Sequence, residues 1–262
     1  MLFLNKQDIQ GIDRSTIQNG VKKAYQHVLD DNYNMPDRIH VANQENMLLL
    51  MPCFSEKYFA TKLVSVFPDA PTLGQPAVNG VLVLCDNTTG RPLALMDGAA
   101  ITAERTGAVG GLGVACLTEA NVQTAGIIGA GVQGMSQARY LLLNRDIDAL
   151  WIHDIIEENA DNLANTLKRE YPGLECTVST DPLDLVFNSQ VIISATTSKT
   201  PVFNIPSDKA DDLIKGKVFI SIGSFRPDMK EFPDEIIRSA DKVFVDTLFA
   251  AQESGDIAIP LN

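Results

Sequence analysis

Apolar residues in the first hundred or so positions fall in short runs separated by turn residues. After one helical stretch, "STIQNGVKKAYQHVLDD", the runs "DRIHVA", "NMLLLMP", "FATKLVSVF" and "NGVLVLCD" alternate with turn signals such as "DNTTGRP", a pattern that predicts an antiparallel or mixed sheet. From Asn121 onward the rhythm becomes strand, helix, strand. "TAGIIG", "LWIHD", "CTVS", "QVIISAT", "GKVFISIG" and "KVFVD" read as six short strands, with "SQARYLLLN", "ENADNLANTLKRE", "DPLDLVFN" and "DEIIRSA" as helices. Strands of continuous apolar character joined by helical crossovers predict a doubly wound parallel sheet buried on both faces. The expected fold is therefore α/β: an N-terminal α+β domain over residues 1–120, a linking helix at about 99–118, and a parallel-sheet domain over residues 121–262.

Composition narrows the partners. The chain of 262 residues carries a net charge of −12, which argues against nucleic acid and anionic membrane, since both select for a basic surface. Apolar runs such as "MLLLM" fall far short of the ~18 residues of a membrane helix, and "MLFLNKQDIQ" lacks a signal-peptide pattern, so a cytoplasmic protein is expected. Four cysteines (Cys53, Cys85, Cys116, Cys176) show neither a C-x-x-C pair nor a histidine partner at metal-ligand spacing. No metal site is expected from them.

The segment "TAGIIGAGVQGMSQARYLLL" holds a full G-x-G-x-x-G at Gly129, Gly131 and Gly134, between a predicted strand and a predicted helix. Each glycine has a reason: a tight turn, backbone approach to a pyrophosphate, and close packing of helix on strand. The helix N-terminus adds partial positive charge for the phosphates. Asp154 closes the next strand 23 residues after Gly131, where the acid that binds an adenosine ribose belongs in a Rossmann-type fold. A carboxylate there favours NAD(H) over NADP(H), and Ile155, Ile156, Glu157 and Glu158 supply no cation for a 2′-phosphate. The same position also suits a helix N-cap.

Two cations stand in unexpected surroundings. Lys62 interrupts the strand-like run "YFATKLVSVF", as a solvated edge-strand residue or as something functional. Arg105 stands among small residues in "MDGAAITAERTGAVGGLGVACLTE", either reaching solvent or facing a ligand anion.

The ordered set "DRIHV", "TKLVSVFP", "GVLVLCDNTTGRPLALMDG", "ITAERTGAV", "GIIGAGVQG", "SATTSKTPVF" and "IGSFRPDMKE" resembles the ornithine cyclodeaminase and mu-crystallin family, from about Leu2 to the C-terminus. The resemblance implies an N-terminal domain for substrate binding and dimerisation, giving a homodimer. It also implies a Rossmann domain, and a cleft between the two where NAD(P) meets a small amino or cyclic imino acid. Lys62 then matches the active-site lysine, and with Arg38 and Arg105 would hold the substrate carboxylate. Thr106, Gly129, Gly131, Val132, Gln133, Gly134, Asp154, Ser194, Ala195 and Thr196 are the cofactor-binding positions it implies.

Two departures from the family pattern bear on activity. Phe225 stands two residues after Gly223, where the cyclodeaminases carry an acid, and a phenyl ring transfers no proton. Asp228 and Glu231 lie close by and are expected to anchor the following turn. The usual C-terminal return segment is also absent after "AIPLN". The expected activity is an NAD(H)-dependent oxidoreductase at a C–N bond, of ketimine-reductase or alanine-dehydrogenase type. The alternatives are conversion of ornithine to proline and ammonia, or ligand binding without turnover.

Overall fold

The computed structural model describes residues 1–206, 209–247 and 250–261. The chain divides into two compact units, Met1–Ala108 and Val109–Asn262.

The first unit is built on a mixed six-stranded sheet. Its strands are β1 (Leu2–Leu4), β2 (Ile39–Asn43), β3 (Asn46–Phe54), β4 (Tyr58–Val66), β5 (Val78–Asp86) and β6 (Pro92–Asp97), in the order β1-β6-β5-β4-β3-β2. Helices α1 (Lys6–Gln10) and α2 (Arg14–Leu29) follow the first strand, the former closed by a capping box between Asn5 and Asp8. The runs from β2 to β5 are antiparallel neighbours, as their alternation with turns predicts. β1 and β6 escape sequence reading. β1 has three residues, and it exists because it pairs in parallel with β6, some ninety positions away, through Leu2↔Ala94 and Leu4↔Met96.

Helix α3 (Gly98–Leu117) begins directly after β6, with Asp97 Oδ1 accepting the Ala100 N–H at 2.8 Å. A Cβ on Gly98 would stand 2.5 Å from the Gly80 carbonyl carbon, so the small residue lets the start of α3 lie directly on β5. The division between the two units falls within this helix.

The second unit holds a parallel sheet of five strands among the described residues: β7 (Thr124–Ile128), β8 (Ala149–His153), β9 (Glu175–Val178), β10 (Val191–Ser194) and β11 (Val218–Ser221). Their order is β11-β10-β7-β8-β9, with every pairing parallel. Helices α4 (Val132–Asn144), α5 (Glu157–Glu170), α6 (Pro182–Asn188), α7 (Ala210–Ile214) and α8 (Asp234–Ser239) follow the strands, and α9 (Ala250–Glu253) and α10 (Gly255–Leu261) close the chain. Alternate residues of β10 face opposite cores. Val191 and Ile193 pack with α4 and α5 residues such as Leu141 and Leu163, whereas Ile192 packs with Leu185, Phe203, Phe232 and Ile236. Burial on both faces explains why these strands are apolar throughout. Arg145 fastens the last turn of α3 to this unit, donating to the carbonyls of Ala115 (2.9 Å) and Thr118 (2.7 Å).

One predicted strand is absent. "KVFVD" at 242–246 joins no ladder, and Val243, Phe244 and Val245 remain 46%, 62% and 38% exposed. A run of β-branched and aromatic residues has strand propensity, but a strand forms only where a neighbour supplies hydrogen bonds. Among the described residues none pairs with it. No described helix is long and apolar enough to cross a membrane.

Candidate active site

In an open parallel sheet, ligands collect beyond the carboxyl ends of the strands at the point where strand order reverses. Here that point lies between β7 and β10, because β7 leads through α4 to β8 on one side and β10 enters on the other. The predicted glycine loop leaves β7, and the predicted segment Ser194–Thr196 leaves β10. The two touch. Gly129 has φ +91°, and a Cβ there would stand 2.7 Å from Ala195 O, so neither the backbone angle nor the space tolerates a side chain. A Cβ on Gly134 would stand 1.9 Å from Gly129 O. A Cβ on Gly131 would meet nothing within 4 Å.

The first turn of α4 begins at Gly131, and no side chain caps it. Its uncapped N–H groups and the open space at Gly131 fit a pyrophosphate, which needs backbone donors and close approach. Val132 is exposed on this turn, while Gln133 keeps its Oε1 buried and without a hydrogen-bond partner. Asp154 follows β8 and is not the N-cap of α5, a place taken by Ile156. Its Oδ2 accepts the Ala130 N–H at 2.7 Å and its Oδ1 the Ile156 N–H at 2.8 Å. The carboxylate is thus fixed against the glycine loop, and each oxygen keeps a lone pair for a further donor.

A residue that sequence reasoning placed elsewhere organises the other side. Glu231 is completely buried, and instead of anchoring its own turn it reaches the ends of β10 and β11. Its Oε1 accepts from Ser194 Oγ (2.6 Å), Thr196 N (2.6 Å) and Thr196 Oγ1 (2.8 Å). Its Oε2 accepts from Ser221 Oγ (2.9 Å), Ile222 N (3.2 Å) and Gly223 N (2.6 Å). Asp228 behaves differently. It is half exposed, paired with Lys199 at 2.9 Å and Arg226 at 3.1 Å, and the Lys199 hydrogen bond foremost holds its carboxyl below the usual range. Phe225 is 61% exposed in the loop after β11.

The cationic residues belong to the first unit. β4 is an interior strand, with Lys62 opposite Met51 of β3 and Leu82 of β5, which rules out the edge-strand explanation for the lysine. Lys62 is half-buried, and its Nζ makes one long contact, 3.4 Å, to Thr102 Oγ1 on α3. Burial pushes its pKa below the ordinary value, and the positive charges of Arg105 and Arg38 push it further in the same direction. Both predicted arginines are therefore electrostatic neighbours of Lys62. Arg38 and Arg105 are both exposed, and Thr106, the residue after Arg105, is half-buried. Thr102, Arg105 and Thr106 stand at i, i+3 and i+4 on one helical face, a spacing that would have revealed Thr102 from sequence. Among the described residues no cluster of metal-ligating side chains occurs.

A parallel sheet with a glycine loop and an acid at its switch point is the architecture of a dinucleotide-dependent oxidoreductase. More particularly, the chain belongs to the ornithine cyclodeaminase/mu-crystallin family, whose model matches residues 5–261. It is 34% identical over 224 residues to a Delta(1)-pyrroline-2-carboxylate reductase of Bacillus cereus, covering 84% of this chain and 67% of that protein. Against an alanine dehydrogenase of Archaeoglobus fulgidus the identity is 28% over 262 residues, 100% of this chain and 78% of the other. Among solved structures, the Delta(1)-pyrroline-2-carboxylate reductase of Thermococcus litoralis, in complex with NADH and L-proline, superposes with a TM-score of 0.88 at 31% identity. That match covers 100% of this chain and 80% of the other.

Proposed function

We propose that this protein reduces the carbon–nitrogen double bond of a small cyclic imino acid, of the pyrroline-2-carboxylate class, with NADH, and that it does not cyclise ornithine. The observation that carries this reading is Lys62, half-buried on an interior strand with its pKa lowered by burial and by Arg105 and Arg38. A cation cluster of that kind suits an anionic substrate that also needs a proton. Guanidinium groups accept a carboxylate in paired hydrogen bonds, the role assigned to Arg38 and Arg105. Lys62 would hold a proton at the imine nitrogen, keeping the adjacent carbon electrophilic, and a lysine of lowered pKa releases that proton more readily. The similarity to pyrroline-2-carboxylate reductases supports the substrate class.

The residues that would hold NAD(H) are Gly129, Gly131, Val132, Gln133, Gly134 and Asp154 on one side of the switch point and Ser194, Ala195 and Thr196 on the other, with Thr106 of α3. When bound, the cofactor supplies the hydride. Cyclisation of ornithine needs a group to manage the protons of an attacking amine, and at the position after β11 this chain offers the ring of Phe225. The nearby Asp228 is tied to Lys199 and Arg226.

The test measures NADH consumption with Δ1-pyrroline-2-carboxylate, alongside ornithine plus catalytic NAD assayed for proline by mass spectrometry. Imine reduction should exceed proline formation by about 10²–10⁴-fold, the usual worth of a positioned acid–base group. Proline appearing at a comparable rate would sink the reading. Nucleotide binding without turnover across cyclic imino acids and alanine would make the protein a binding module.

Cofactor choice is a separate expectation. Asp154 would accept ribose hydroxyls and repel a 2′-phosphate, and exposed Ile155, Ile156, Glu157 and Glu158 offer no compensating cation. NADH should bind at least about tenfold more tightly than NADPH by calorimetric titration, and Asp154→Ser should narrow that ratio. An unchanged ratio would remove Asp154 from the ribose.

A further inference from the structure

Resting on the dinucleotide reading above, we propose that Glu231 is a positioning residue for the nicotinamide half of the cofactor, clamping the ends of β10 and β11 in one fixed register. Strand order places it there. A dinucleotide whose pyrophosphate lies at Gly131 after β7, and whose adenosine ribose meets Asp154 after β8, must lay its other half across the ends of β10 and β11. Those are the two strand ends that Glu231 joins.

The joining is divided cleanly between the two oxygens. All three donors to Oε1 come from Ser194 and Thr196, and all three to Oε2 come from Ser221, Ile222 and Gly223. One carboxylate thus fixes two loops that are far apart in sequence. The loops also touch directly, for a Cβ on Gly223 would stand 1.9 Å from Thr196 O and 2.8 Å from Glu231 Cδ. Glu231 is itself held on both sides of its backbone. Its N–H and that of Phe232 donate to Asp256 Oδ1, each at 2.9 Å, and its carbonyl accepts the Val202 N–H at 2.8 Å. Ser221 Oγ lies 2.9 Å from Glu231 Oε2 and 2.5 Å from Asp256 Oδ2, so its single hydrogen serves one of the two carboxylates.

A buried carboxylate is a costly way to gain stability alone, because a well-packed apolar group of the same size does as well or better. Five donors converge on Glu231 whichever carboxylate the Ser221 hydrogen serves, and together they specify a geometry.

Glu231→Gln tests this, because an amide of the same shape presents an acceptor to one strand end and an NH₂ to the donors of the other. The variant is titrated calorimetrically with NADH and with ADP-ribose, which lacks the nicotinamide, and its folding is checked by near-ultraviolet circular dichroism. The expected result is a loss of about tenfold or more in NADH affinity, with ADP-ribose affinity held within about twofold, so that the preference for NADH collapses. Ser194→Ala, at a completely buried hydroxyl, removes one donor from Oε1 and leaves both Thr196 donors, and should give the same selectivity at about threefold. If Glu231→Gln does not fold, Ser194→Ala decides the matter. Equal weakening of both nucleotides, or no change in either, overturns the positioning role while leaving the dinucleotide reading intact. A parent protein that binds neither nucleotide overturns that reading, and this proposal with it.

Discussion

Replacing Lys62 by methionine is expected to give a protein that melts higher than its parent and turns over about 10²-fold or more slowly. The two effects share one cause. Lys62 stands on an interior strand, half removed from water and repelled by Arg105 and Arg38, so its folded-state pKa lies below the ordinary 10.5. Between that lowered value and 10.5 the folded chain binds fewer protons than the unfolded one, and stability therefore rises with pH across this window. Below the window the cost of the cation is fully present. Methionine keeps the length of the side chain and removes the charge, so Tm at neutral pH should rise by about 2 °C or more, with the gain shrinking as pH approaches 10.5. Losing a positioned proton donor costs about 10²–10⁴-fold in rate. The loss should fall mainly on kcat, whereas Arg105→Lys and Arg38→Lys, which forfeit the guanidinium fork, should mainly raise KM. Steady-state kinetics with a cyclic imino acid and calorimetry between neutral and alkaline pH check both halves. A kcat/KM within about threefold of the parent would return Lys62 to a structural role.

The same lysine shows how far the amino-acid sequence could be read. A charged residue in an apolar run is visible as an anomaly, and its neighbours Arg38 and Arg105 are visible once the family pattern is recognised. Their mutual influence needed the fold, because β4 had to be interior and Gly98 had to seat α3 on β5. The glycine loop was legible because its chemistry is local: three glycines, a strand before and a helix after. Glu231 was not, since the groups that surround its carboxylate come from positions 8 to 37 residues away and gather only when β10 and β11 pair. Strand assignment failed for the same reason in both directions. β1 is too short to read as a strand yet forms beside β6, while "KVFVD" has every local mark of a strand and pairs with nothing described. Pairing decides such segments, and pairing is not a local property.

The glycine loop yields the second large effect, a separation of stability from binding by two glycine-to-alanine changes three residues apart. Gly134 lies on α4 where the helix meets the turn after β7, and a Cβ there would stand 1.9 Å from Gly129 O and 3.0 Å from Gly129 C. Those are backbone atoms of a turn that already holds φ +91° and packs against Ala195, so little can yield. Gly134→Ala should cost at least about 1–3 kcal/mol, as overpacking does, and lower Tm by several degrees. Gly131 is the contrast. A methyl group there meets nothing within 4 Å, and its backbone is extended at φ −77°, so Gly131→Ala should melt within about 2 °C of the parent. The methyl would nevertheless occupy the space into which a pyrophosphate must approach the uncapped N–H groups of α4, and NADH affinity should fall by about tenfold or more. Scanning calorimetry and NADH titration on both variants supply the comparison. Parental NADH affinity in Gly131→Ala would move the pyrophosphate away from the start of α4, and a parental Tm in Gly134→Ala would show that helix and turn can separate without cost.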